Sequence, residues 1–130
     1  MSLVVDTSVI ISVLTNEKSK PQLIKLTEGE DLIAPTSLHW EIGNAFSSMF
    51  KRGRITAKLA NKALESYSLI PLRLVDVDLF KSLEIANKYN IYAYDAYFLE
   101  CARSYNSTLI TIDNGLLSMA KQMNISVKEV

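Results

Sequence analysis

The chain has 130 residues, 48% of them hydrophobic and 22% charged, with 14 basic residues against 14 acidic ones. That is enough for one domain with a real core, spanning residues 1–130, and too little for two. Zero net charge argues against general attraction to nucleic acid, and no apolar run approaches the ~20 residues of a membrane span. The single cysteine, Cys101, reads as a small buried hydrophobe; it makes no internal disulfide, and no Cys/His cluster supports zinc. The first residues carry no basic region and meet Asp6 after three apolar residues, so no signal peptide is expected and a cytoplasmic location follows by default.

Strand and helix signals alternate along the chain. Leu3-Val4-Val5 reads as a strand that stops at Asp6, followed by a helix over 8–14. Pro21 opens a helix to residue 26, and Gly29 ends it. A strand over 31–34 is stopped by Pro35. Thr36 or Ser37 then caps a long helix to residue 52, with Gly53 at its C-terminus. Thr56 caps a helix over 57–68, and Pro71 precedes a strand over 72–75. Two helices over 78–89 and 94–105, a strand over 108–111, a helix over 114–123 and a strand over 126–128 complete the pattern. The alternation predicts an α/β fold, with a mainly parallel central sheet of four to five strands flanked by helices.

Four acids occupy informative places in that pattern. Ligands of open α/β sheets sit outside the carboxyl ends of the strands. Asp6 ends the first strand and Asp113 follows the fourth, so both emerge on one edge if the strands are parallel. Asp95 opens a helix in line with Leu99 and Ala102, on the core-facing stripe. Glu41 lies in the early turns of the helix after the second strand, about 70° off its apolar stripe at 100° per residue, on a shoulder overhanging the cleft. Each acid also has an ordinary reading, the three aspartates as helix caps and Glu41 as a surface charge. Capping alone does not explain four elements placing acids on one side of a sheet. Converging carboxylates repel and lose hydration, and a divalent cation is the simplest compensator. An all-oxygen set without cysteine suits Mg²⁺ or Mn²⁺, which points to a metal-dependent hydrolase.

The stretches Val4-Val5-Asp6-Thr7-Ser8, Glu41-Ile42-Gly43-Asn44-Ala45, Tyr94-Asp95-Ala96 and Thr111-Ile112-Asp113, in this order, resemble the motifs of the PIN domain. The resemblance is closest to the small prokaryotic PIN-domain ribonucleases that are the toxins of VapBC-type toxin–antitoxin pairs, and it covers essentially the whole chain. It implies a single PIN-like nuclease domain and a metal-dependent endoribonuclease that leaves 5′-phosphate and 3′-hydroxyl ends. Asp6, Glu41, Asp95 and Asp113 correspond to the family's metal-binding and catalytic acids. Ser8 and Asn44 fall where such proteins often carry a supporting polar residue, and Thr111 can support Asp113. A local backbone hydrogen bond or a solvated surface role is the ordinary alternative for all three. Asn114 to Leu117 supply no further acid, so a second ion would be held less firmly than the first. The implied partners are single-stranded RNA, a cognate antitoxin that inserts a basic side chain among the acids, and a second copy of the chain. Val9, Ile10, Val13 and Leu14 can serve such a dimer, although core packing is their plainer task.

The run Lys51-Arg52-Gly53-Arg54, followed by Lys58 and Lys62, is a candidate RNA-binding hairpin, or else a solvated tip. Tyr92, Tyr94 and Tyr97 flank Asp95 and can stack on unpaired bases, while Trp40 is expected in the core or an interface and His39 as structural or solvated. A haloacid-dehalogenase-type phosphatase needs a second Asp where Ser8 stands. A receiver-like domain wants a late lysine where Thr111-Ile112-Asp113 offers an acid. Within the PIN resemblance, the alternatives to a toxin are an RNA-processing nuclease and a catalytically weak RNA- or protein-binding module.

Overall fold

A computed structural model describes residues 2–130; Met1, the first residue of the N-terminal reading, lies outside the described residues. The chain runs β1 (Ser2–Val5), α1 (Thr7–Leu14), α2 (Lys20–Thr27), β2 (Asp31–Pro35), α3 (Ser37–Lys51), α4 (Ala57–Ser68), β3 (Leu72–Val75), α5 (Leu79–Tyr89), α6 (Ala93–Ser104), β4 (Thr108–Ile110), α7 (Asn114–Gln122) and β5 (Val127–Lys128). The strands form one parallel sheet in the order β3-β2-β1-β4-β5. Leu3 pairs with Leu32 on one side and Thr108 on the other, which fixes β1 at the centre.

The middle strands are nearly continuous apolar runs, as a parallel sheet covered on both faces requires. Val4, Ile33, Ala34, Leu109 and Ile110 are all fully buried. The edge strands β3 and β5 are only partly covered. Helix α6 is buried almost all round, because it packs on β1, β2 and β4 with one face and on α5 with another. Helix α1 packs on α2, α3 and α4. Cys101, on α6, is buried as expected, and its thiol is pushed up to about 12, by burial first and the Glu100 charge second.

From β1 the chain steps to β2 and β3 on one side, then crosses to β4 and β5 on the other. The direction of winding therefore reverses between β1 and β4, which opens a crevice at their carboxyl ends. Asp6 and Asp113 stand on its two lips. Helix α3 leaves the neighbouring strand β2, and α6 runs back to enter β4 through a short turn, so the N-terminal ends of both face the same edge. Among the described residues, no helix is long and apolar enough to cross a membrane.

Candidate metal centre

Asp6 is the most enclosed of the four acids, with 4% of its surface exposed. It caps α1, its Oδ1 accepting from the Val9 backbone N–H at 3.1 Å and the Ser8 hydroxyl at 2.6 Å. The Thr111 hydroxyl donates to its Oδ2 at 2.5 Å from just beyond β4. Burial raises the Asp6 pKa above the ordinary value; Ser8, Thr111 and Val9 oppose that rise, and the charge of Asp113 adds to it.

Thr111 ties the two lips of the crevice together. Besides holding Asp6, its Oγ1 accepts from the Asp113 backbone N–H at 3.0 Å. The expected support for Asp113 thus reaches its backbone, and the carboxylate that Thr111 grips is that of Asp6. Ser8 is also part of this network, its Oγ accepting from the Ile112 backbone N–H at 3.3 Å. Asn44 is exposed, one turn beyond Glu41, and its side chain makes no hydrogen bond among the described residues.

Asp113 caps α7, with Oδ1 accepting from the Gly115 N–H at 2.8 Å and the Leu116 N–H at 3.1 Å. Asp95 lies in the first turn of α6, where the unpaired N–H groups favour negative charge. Its pKa is raised by burial first and by the Asp113 charge second. Capping and convergence hold together: Asp6 and Asp113 cap helices whose N-termini open onto the same crevice.

Glu41 is half-buried, as a shoulder position allows. Its Oε2 is shut off from solvent and has no hydrogen-bond partner. Its pKa is pushed up to about 7, by burial first; the Thr7 hydroxyl opposes, the charges of Asp95 and Asp6 add, and the Ser37 hydroxyl opposes. The four acids are thus linked by charge: Glu41 feels Asp95 and Asp6, and Asp113 acts on Asp6 and Asp95. Among the described residues, no three His, Cys, Asp or Glu side chains stand close enough to form a finished ion cage. The donor chemistry nevertheless fits a hard cation. A carboxylate oxygen excluded from water, with no hydrogen bond made to it and with negative neighbours, is the group such an ion satisfies. Sequence reasoning did not single out Thr7 and Ser37, because an isolated hydroxyl at a helix start carries no distinctive pattern.

The basic run is at the other end of α3. Lys51 is ten residues past Glu41, about 15 Å along the axis at 1.5 Å per residue. Arg54 and Lys62 line a groove with Ile11, Leu14, Met49 and Leu59, remote from the carboxyl edge of the sheet. The fold therefore does not bring Lys51, Arg52 and Arg54 to the acids. Trp40 is 73% exposed, so it is not a core residue, and His39 next to it is exposed with Nδ1 3.2 Å from the Tyr67 hydroxyl. Tyr92 is 85% exposed beside the first turn of α6, while Tyr94 and the half-buried Tyr97 meet edge to face.

The comparisons agree with this architecture. No curated protein sequence matches the chain. Among solved structures, PAE2754 from Pyrobaculum aerophilum superposes with a TM-score of 0.75 at 23% identity, over 100% of this chain and 92% of that one. VapBC2 from Rickettsia felis, bound to a DNA fragment from its promoter, matches at 0.73 and 14% identity, over 99% and 98%. VapC20 from Mycobacterium tuberculosis, a Sarcin-Ricin loop cleaving toxin, matches at 0.63 and 11% identity, over 89% and 93%. Solved toxin–antitoxin proteins are thus among the folds this chain resembles. The PIN domain matches residues 3–122, a span that holds four of the five strands and all four acids, and the chain belongs to the PIN-domain family.

Proposed function

We propose that residues 1–130 form one metal-dependent endoribonuclease domain, the toxin of a VapBC-type toxin–antitoxin pair. The observation that carries this reading is the coupled acidic crevice, with Asp6 buried and one Glu41 oxygen enclosed and unpartnered. A structural core gains nothing from such an arrangement, since repulsion and lost hydration both oppose folding. Perturbed carboxylates gathered in a cleft are what a catalytic site contains.

In this reading Asp6, Glu41, Asp95 and Asp113 hold Mg²⁺ or Mn²⁺. Once bound, the ion supplies charge neutralisation, polarisation of a phosphoryl oxygen and a more acidic water. The protein's part is positioning. Ser8 and Thr111 fix both oxygens of Asp6, so this carboxylate faces the crevice in one orientation. Asp113 is held by two backbone N–H groups of α7. Without metal, burial and the charges of Asp95 and Asp6 hold the Glu41 carboxyl up to about 7, and a bound cation would draw it back to its charged form. Tyr92 and Tyr94 offer exposed rings at the mouth on which unpaired bases can stack, which favours single-stranded RNA. Because Lys51, Arg52 and Arg54 are remote from the acids, they would hold an outlying part of the RNA backbone.

The partners follow from the same kinship. A cognate antitoxin would neutralise the crevice with a basic side chain. The exposed Leu79, Phe80 and Leu83 of α5 form an apolar face suited to a second copy. The protein would act in the cytoplasm, where its RNA is.

The test is cleavage of single-stranded RNA by purified protein with and without Mg²⁺ or Mn²⁺. Cleavage is expected only with metal, leaving 5′-phosphate ends, and is lost in Asp6→Asn while circular dichroism stays unchanged. Cleavage that survives in Asp6→Asn, or proceeds in excess chelator, sinks the reading.

A further inference from the structure

Three buried oxygens lack a hydrogen-bond partner among the described residues: Glu41 Oε2, Thr7 Oγ1 and Ser37 Oγ. Buried polar groups are almost always paired, so each such exception calls for an explanation. These three belong together. Thr7 is the first residue of α1 and Ser37 the first of α3, with Glu41 one turn further along the same face. Both hydroxyls lie beside the Glu41 carboxylate, although neither closes a hydrogen bond of good geometry. Two donors flank one acceptor.

The usual local uses of these hydroxyls are closed. Capping of α1 is done by Asp6, so Thr7 is not needed there. Ser37 follows the N-cap position, and α3 has no side-chain cap bond. A serine or threonine inside a helix often bonds the carbonyl four residues back, but at a first helical residue no helical turn precedes it.

We propose that Thr7 and Ser37 are positioning residues for Glu41: their hydroxyls donate to its carboxylate from two helices and fix the direction in which it faces the crevice. This rests on the reading of the crevice as a divalent-cation site. Two hydroxyls anchored at helix starts restrict a side chain with three rotatable bonds, so Glu41 reaches the ion without first being ordered. Ser8 and Thr111 do the same for Asp6. Asp6 and Glu41 would then each have a pair of hydroxyls, one of the four being supplied by the residue directly after Asp6.

The test is Mn²⁺ affinity of metal-free protein by calorimetry, which does not depend on cleavage. Removal of a group that orients a metal ligand typically costs 10–100-fold in metal affinity. Thr7→Val and Ser37→Ala are each expected to weaken Mn²⁺ binding by about tenfold, and Thr7→Ser to restore most of the loss. In a Glu41→Gln background, Thr7→Val is expected to add nothing further, because the group it positions is no longer a carboxylate. Variants that bind Mn²⁺ like the wild type, while Glu41→Gln weakens it, overturn the positioning role and leave the cation site standing. A wild type that binds no Mn²⁺ removes both. Should Thr7→Val fail to fold, Ser37→Ala decides the matter alone.

Discussion

An aspartate as enclosed as Asp6 survives folding because three donors reach it, two from the start of α1 and one from beyond β4. Thr111 is the residue on which this depends most, since its hydroxyl both donates to Asp6 and accepts from the Asp113 N–H. Thr111→Val preserves shape and removes both bonds. It is expected to destabilise the protein by about 1–3 kcal/mol in urea unfolding and to lower cleavage as well. Unchanged stability would mean that the bridge between the two lips contributes nothing. The acids themselves were legible in the sequence because each stands at a strand end or in the first turns of a helix. Their hydroxyl partners were legible in part. Ser8 is two residues from Asp6 and Ser37 one turn before Glu41, whereas Thr7 is brought to Glu41 only by the packing of α1 against α3.

At the scale of elements, the strand–helix alternation was readable because the central strands are buried on both faces and show as unbroken apolar runs. The helix ends were readable where glycine marks them, as at Gly53 with φ of 65°. They were less visible at Asn16, Asn90, Asn106 and Asn124, which take the same left-handed conformation with φ from 49° to 58°. Asparagine tolerates that region, but its presence in a sequence does not announce it. Asn90 closes α5 in this way, with its N–H bonded to the Ala86 carbonyl. Asn90→Val places a β-branched residue in a left-handed conformation and is expected to cost about 1–2 kcal/mol, while Asn90→Gly is nearly neutral. Thermal midpoints check both; an equal loss in the two variants would point to the side chain instead of the backbone. Helix direction also explains the position of the basic hairpin. A helix returning from a parallel strand carries its C-terminus to the opposite edge of the sheet, so Lys51 and Glu41 part company along α3.

For the whole molecule, the acidic crevice couples stability to pH and, in the proposed function, to metal. The Glu41 pKa lies at about 7 in the folded protein against an ordinary 4.5, and Asp6 and Asp95 are raised in the same direction. A raised carboxyl means that the folded state holds its proton more tightly than the unfolded chain. The stability contributed by Glu41 is therefore fully present below pH 4.5 and is lost as pH rises through about 7. Without metal, the thermal midpoint is expected to fall between about pH 5 and 7.5. Mg²⁺ or Mn²⁺ is expected to restore it at the upper end, because an ion bound only by the folded state adds stability by mass action. A midpoint that rises over this interval without metal would contradict the charge coupling.

The most direct measurement is the anomalous difference map of a crystal soaked in Mn²⁺. The expected map has a peak between Asp6, Asp95 and Asp113, with carboxylate oxygens at about 2.0–2.2 Å and the Glu41 carboxylate turned toward it. A map from a well-soaked crystal with no peak in that crevice, or with its peaks elsewhere on the surface, would contradict a metal-dependent active site.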